Sequence, residues 1–155
     1  MAASETQDGA TEKRELLTEE LLEQLLKSSS PEAYLEEAPA DERSLSEYLA
    51  DLTYTRGMKR SDVVRNSTLN ATFTYQVYKG TRKVGRDNAL RLAFGIGCTL
   101  RETQRLLRHA GVSELYCKNR RDAIIIYCID KGYSLAECDD ELYRLGETTL
   151  VSQEG

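Results

Sequence analysis

MKRSDVVRNSTLNATFTYQVYKGTRKVGR, residues 58–86, is the stretch whose reading decides the fold. It predicts two short helices around a tight turn, followed by a basic loop. The first helix is expected from Arg60 to about Ser67, with Val63 and Val64 turned inward. Asn70 is placed to cap the second, because its short side-chain carbonyl can accept a backbone N–H of the first turn. That helix is expected to run to about Lys79 and to stop at Gly80, a residue type that takes the left-handed conformation without a steric penalty. Thr81-Arg82-Lys83 leads out of the unit.

On the N-terminal side, Ser44 stands as a cap before the stripe Leu45, Tyr48, Leu49 and Leu52, which predicts a helix closed by Gly57. On the C-terminal side, helices are expected over Asp87–Gly95 and Thr99–His109, the second opened by Thr99 and Glu102 at capping-box spacing. Further upstream, EKRELLTEELLEQLLK (12–27) reads as an acidic amphipathic helix. Leu17, Leu21 and Leu25 recur every four residues, and Leu22 widens the stripe. Ser30 and Pro31 suit the cap and first position of one further turn, and residues 36–42 read as an acidic linker.

The C-terminal part repeats what precedes it. Residues 86–111 and 121–146 align without gaps at an offset of 35. The pairs Arg86/Arg121, Asp87/Asp122, Gly97/Gly132, Leu100/Leu135, Glu102/Glu137, Leu107/Leu142 and Gly111/Gly146 are identical. Helices are therefore expected over Arg120–Lys131 and Ser134–Leu145, packed back onto the first copy. The expected organisation is an acidic segment at 1–43, a helical domain at 44–111 and a helical extension at 112–155.

Taken whole, a net charge of −5 argues against a polyanionic partner, but its distribution reverses that. Residues 1–53 hold 4 Lys/Arg against 14 Asp/Glu, a net of −10, and residues 126–155 have a net of −5. Residues 54–125 hold 15 against 5, a net of +10. The longest apolar run, Ala123 to Ile129, has seven residues, against the roughly 20 that a membrane helix needs, so a cytoplasmic protein without a membrane partner is expected. Cys98, Cys117, Cys128 and Cys138 lack C-x-x-C spacing and His109 is the one histidine, so neither a metal centre nor another cofactor is expected. There is no Gly-rich phosphate loop, no nucleophile paired with a suitable His and no carboxylate–His cluster, so the expected class is non-enzymatic.

The turn, the cap, the helix-ending glycine and both downstream helices together resemble the helix-turn-helix domain of the Cro and lambda-repressor type, the XRE family, over about residues 45–110. Val63-Val64 match its buried pair, Leu69 its apolar turn residue, and Gly97-Cys98-Thr99-Leu100-Arg101-Glu102 the opening of its last helix. Thr68 stands where the family has a turn glycine, Thr74 where it buries an aliphatic residue, and Val84-Gly85 where it has proline. The resemblance implies an all-α, lambda-repressor-like five-helix domain, here with a two-helix C-terminal extension and an acidic N-terminal helix on a linker. It implies a transcriptional regulator that reads the major groove of double-stranded DNA.

Mapped onto this chain, Asn70, Ala71, Thr72, Tyr75 and Gln76 would meet base edges, while Arg60, Lys79, Arg82, Lys83 and Arg86 would hold phosphates. A homodimer reading two half-sites is the expected partner state; the apolar stretch Ile124–Ile129 is its candidate surface or, alternatively, part of the monomer's own core. Lys118, Arg120 and Arg121 precede a helix N-terminus, where positive charge is unfavourable, and so point to an anionic partner, either phosphate or the acidic N-terminal segment. The alternative is a protein-interaction adaptor that keeps the fold and uses the 12–27 helix to dock on a protein partner or to mask the basic face.

Overall fold

The computed structural model describes residues 18–37 and 43–151. Among the described residues the chain is all-helical, with nine helices and no strand. It forms two compact units, one ending at Asp41 and the other beginning at Glu42.

The first unit holds α1 (Thr18–Lys27) and α2 (Pro31–Glu37), which touch each other. Ser30 Oγ accepts the Ala33 N–H at 3.0 Å, the cap expected before Pro31. Leu22, Leu25 and Leu26 on α1 are 51, 42 and 74% exposed, and Leu21 is half-buried. The turns expected from Glu12 to Leu17, and the linker residues 38–42, lie outside the described residues.

The second unit holds α3 (Leu45–Thr55), α4 (Arg60–Ser67), α5 (Ala71–Lys79), α6 (Arg86–Ile96), α7 (Leu100–His109), α8 (Arg120–Asp130) and α9 (Leu135–Arg144). Ser44, Thr99 and Ser134 open α3, α7 and α9 with reciprocal capping boxes to Glu47, Glu102 and Glu137. α6 is buried over most of its length (Ala89, Leu90, Leu92, Ala93 and Ile96 among others) because it sits centrally, against α4, α7 and α9. Leu49, Leu90, Leu92, Leu106, Leu107 and Leu142 are wholly buried. Each contributes about 2 kcal/mol of apolar burial. Gly95 is where α6 meets α4: a Cβ there would stand 3.0 Å from Ser67 Cβ and 3.1 Å from the Val63 carbonyl oxygen.

Between α4 and α5 the chain turns through Thr68, Leu69 and Asn70. Thr68 has φ 57° and is the one non-glycine residue of positive φ among those described. The left-handed conformation costs an L-residue about 1–2 kcal/mol, so this turn needs support from outside itself. Leu69 anchors the turn in the core, and Asn70 Oδ1 accepts the Phe73 N–H at 2.9 Å.

The sequence repeat is also a structural one. Arg86 donates to the Ser113 and Glu114 carbonyls, both at 3.0 Å. Arg121, 35 positions on, donates to the Thr148 and Thr149 carbonyls at 2.8 and 3.2 Å. Likewise Gln104 accepts from the Leu115 N–H at 2.7 Å and its counterpart Asp139 from the Leu150 N–H at 2.6 Å. The repeat therefore extends to the buried pair Leu115/Leu150.

Packing within the chain takes up two features of this region. Arg120 and Arg121 find their anions within the chain: Arg120 pairs with Glu147 at 2.9 Å, and Arg121 grips Asp87 through two bonds of 3.0 and 3.1 Å. The apolar stretch of α8 turns Ile125 and Cys128 into the core, with Ile124, Ile126 and Ile129 half-buried against it. Tyr127 is exposed. One face of this helix serves the monomer's own packing.

Candidate nucleic-acid interface

α5 separates its side chains by helical periodicity. Thr74, Val77 and Tyr78 recur at i, i+3 and i+4 and are buried. Thr74 is accommodated among apolar neighbours because its hydroxyl donates back to the Asn70 carbonyl at 2.9 Å. Tyr78 is held from below, its phenol 2.7 Å from Thr53 Oγ1, which is itself 2.7 Å from the Leu49 carbonyl oxygen. Burial pushes the Tyr78 phenol above its ordinary pKa, so it stays neutral and keeps this bond.

The opposite face of α5 carries Ala71, Thr72 and Tyr75, all exposed, with Asn70 exposed at the cap. Gln76 is half-buried, and its Oε1 accepts from Arg82 Nη1 at 2.9 Å. The Arg82 guanidinium also lies 5.1 Å from the centre of the Phe73 ring, a second contact for the same end of the side chain. This bond orients the Gln76 amide and leaves its N–H donors to point elsewhere. Phe73 is half-buried against the core, as its place beside Thr74 suggests.

Around this face the cations are unopposed in sequence, with no Asp or Glu between Asp62 and Asp87. Lys79, Arg82 and Lys83 are exposed at the end of α5 and in the loop after it. Arg60, exposed at the start of α4, lies over the Tyr78 ring at 5.0 Å. At the same helix start, the Lys59 N–H and the Arg65 side chain hold the Asp62 carboxyl below its usual pKa.

The structure gives Arg86 a different role from the phosphate contact expected of it. Its guanidinium is bound to Asp122 by two bonds of 3.0 and 2.8 Å and to the Ser113 and Glu114 carbonyls. A residue so committed joins the two halves of the repeat. The sequence reading also passed over Arg91, which is only 9% exposed on α6 yet donates to Ser67 O, Thr68 O and Thr68 Oγ1 at 3.2, 2.9 and 2.8 Å. The available signal was an arginine between Leu90 and Leu92, in a helix otherwise suited to the core.

Among the described residues no group of three or more His, Cys, Asp or Glu could hold a metal ion, and no helix is long and apolar enough to cross a membrane. No protein-family model, curated protein or solved structure compared with the chain matches it.

Proposed function

We propose that the chain is a DNA-binding regulator of the helix-turn-helix class, with α3–α7 as a lambda-repressor-like five-helix domain and α8–α9 as its extension. In this reading α5 enters the major groove. Asn70, Ala71, Thr72, Tyr75 and Gln76 meet base edges, and Arg60, Lys79, Arg82 and Lys83 lie along the phosphates. The observation that carries it is the coincidence on one helix of an exposed face, Ala71–Thr72–Tyr75, with a flanking cationic segment free of carboxylates. Gln76 would pair with adenine through its amide, and the Thr72 methyl would meet a thymine methyl. A single reading helix covers too few base pairs for selectivity, so two copies would read half-sites one turn apart.

The test is selection of duplexes from a random pool, followed by anisotropy titration of selected and scrambled duplexes over a salt series. A shared consensus, and an affinity that falls steeply with salt, support the reading. A pool that never enriches, or a flat salt response, overturns it.

A second reading, that of an adaptor, draws on the exposed leucines of α1 beside Glu19, Glu20 and Glu23. Such a face fits an apolar groove rimmed by cations. Removing residues 1–42 separates the possibilities. Tighter duplex binding would mean that the acidic segment masks the basic face, whereas capture of a protein by the isolated 12–37 peptide would support docking.

A further inference from the structure

The direction of α5 relative to α4 depends on one residue in a conformation its own chemistry disfavours. Thr68 is β-branched and left-handed (φ 57°), at a place where glycine would cost nothing. What surrounds it is a closed set of hydrogen bonds. Thr68 Oγ1 donates to the Ser67 carbonyl at 2.6 Å and accepts from Arg91 Nη2 at 2.8 Å. The same guanidinium holds the Thr68 carbonyl at 2.9 Å and, through Nε, the Ser67 carbonyl at 3.2 Å.

Arg91 comes from α6, 23 residues downstream, and is 9% exposed. Its partners here are neutral oxygens at the C-terminal end of α4, where a cation is favoured by the outgoing carbonyls. Burial pulls the guanidinium below its ordinary pKa, while Asp139 and Asp87 act in the opposite direction. A side chain held so deep has been placed for its bonds, since an exposed arginine would be far easier to accommodate. The end of α4 is pinned a second time, by Asn66 Nδ2 donating to the Gly95 carbonyl at 3.2 Å. α6 thus holds the turn from below while α5 leaves it.

We propose that Arg91 is a positioning residue for duplex reading: by holding Thr68 in its left-handed turn it sets the angle at which α5 presents Ala71 to Gln76, without touching DNA itself. This rests on the proposed DNA-binding function. Arg91 therefore governs discrimination between sequences, whereas the exposed lysines and arginines govern the salt-dependent part of binding.

The experiment uses the full chain carrying Arg91→Met, Arg91→Lys, Thr68→Gly, and each Arg91 change combined with Thr68→Gly. Two quantities are read: amide hydrogen exchange helix by helix, and the ratio of affinities for a selected and a scrambled duplex. Lysine retains the charge but lacks the forked donors that reach three oxygens, so both Arg91 variants fall short. Each loses about tenfold in discrimination and in α5 exchange protection relative to α7, with the salt slope unchanged. Thr68→Gly behaves as the native chain, and in combination it restores most of what either Arg91 variant loses.

Native discrimination and α5 protection in both Arg91 variants would overturn the proposal. So would a loss spread evenly over all helices that glycine does not restore. An Arg91→Met chain that fails to fold beside a native-like Arg91→Lys also counts against it, because charge alone would then suffice. If the native chain itself does not discriminate between duplexes, the DNA-binding function and the reading role both fail. The α5 exchange pattern then still reports whether Arg91 holds the turn.

Discussion

Arg86 and Asp122, which lie in the first turns of corresponding helices of the two repeat copies, are joined by two parallel bonds of 3.0 and 2.8 Å. Their counterparts cross in return, Arg121 to Asp87, so the two helix N-termini are tied reciprocally. The two ties differ in burial. Asp122 has a side-chain exposure of 6%, and it also accepts the Tyr116 N–H at 3.0 Å, whereas the Asp87 side chain is 44% exposed. Removing Arg86 strands a buried carboxylate, and Arg86→Ala is expected to cost about 3 kcal/mol. Removing Asp87 leaves an arginine that still has carbonyl partners, and Asp87→Ala is expected to cost about 1 kcal/mol or less. Urea unfolding of the two variants checks the difference.

Gly95→Ala sets two effects against each other. Alanine in a helix interior gains about 1 kcal/mol over glycine. Here the new methyl would meet Ser67 Cβ at 3.0 Å and the Val63 carbonyl oxygen at 3.1 Å, and the latter is backbone that cannot turn aside. Overpacking of this kind costs about 1–3 kcal/mol, so net destabilisation is expected. Thermal unfolding of the variant measures it. A more stable variant would mean that α4 and α6 can separate freely.

Tyr78 and Thr53 form a buried hydroxyl pair 2.7 Å apart. Tyr78→Phe leaves Thr53 still bonded to the Leu49 carbonyl and should cost about 1 kcal/mol. Thr53→Val strands the phenol instead and should cost about 2 kcal/mol. Chemical denaturation of the two variants tests that order.

The thiols should divide by position. Cys117 is exposed, while Cys98, Cys128 and Cys138 are buried, so one rapid equivalent of a thiol reagent is expected in the native chain and four after unfolding. Burial pushes Cys128 and Cys138 above their ordinary value of 9.0 and Tyr78 above 10.0. Raised folded-state values favour the protonated forms. Their contribution to stability is therefore complete below about pH 9 and is lost as the pH rises through the folded values. The midpoint of thermal unfolding should fall above that pH, and less steeply in Cys128→Ala.

On the proposed interface, the alanine variants of Lys79, Arg82 and Lys83 should each flatten the dependence of log affinity on log salt by about 1. Tyr75→Ala and Gln76→Ala should leave that slope and change the selected consensus. Arg82 touches both sets through its 2.9 Å bond to Gln76, so Arg82→Ala should alter slope and consensus together. Anisotropy over a salt series and a repeated selection separate the effects.

Much of the helical order was legible in the residues because it is decided locally. Asn70 before an amphipathic run, Gly80 after it, and serine or threonine three residues ahead of glutamate each satisfy backbone groups within one turn. α4 and α5 accordingly lie where the sequence places them. The inward turn of Val63 was legible for the same reason, but Val64, beside it, is only half-buried, because its exposure depends on a neighbouring helix. Of the candidate interface, the exposed positions on α5 follow from its period. The holding of Gln76 by Arg82 does not, since it depends on how the loop after Gly80 folds back.

By itself the sequence determined where helices begin and end, that one helix pair recurs at an interval of 35, and that cations gather in the middle of an acidic chain. Only the tertiary structure decided which arginines remain at the surface: Arg86 and Arg121 cross to carboxylates of the opposite copy, and Arg91 goes under the turn at Thr68. The reason is geometric. A cap or a stop acts over three or four residues, and its spacing is written in the chain, whereas a guanidinium bonds whatever oxygen packing brings within 3 Å.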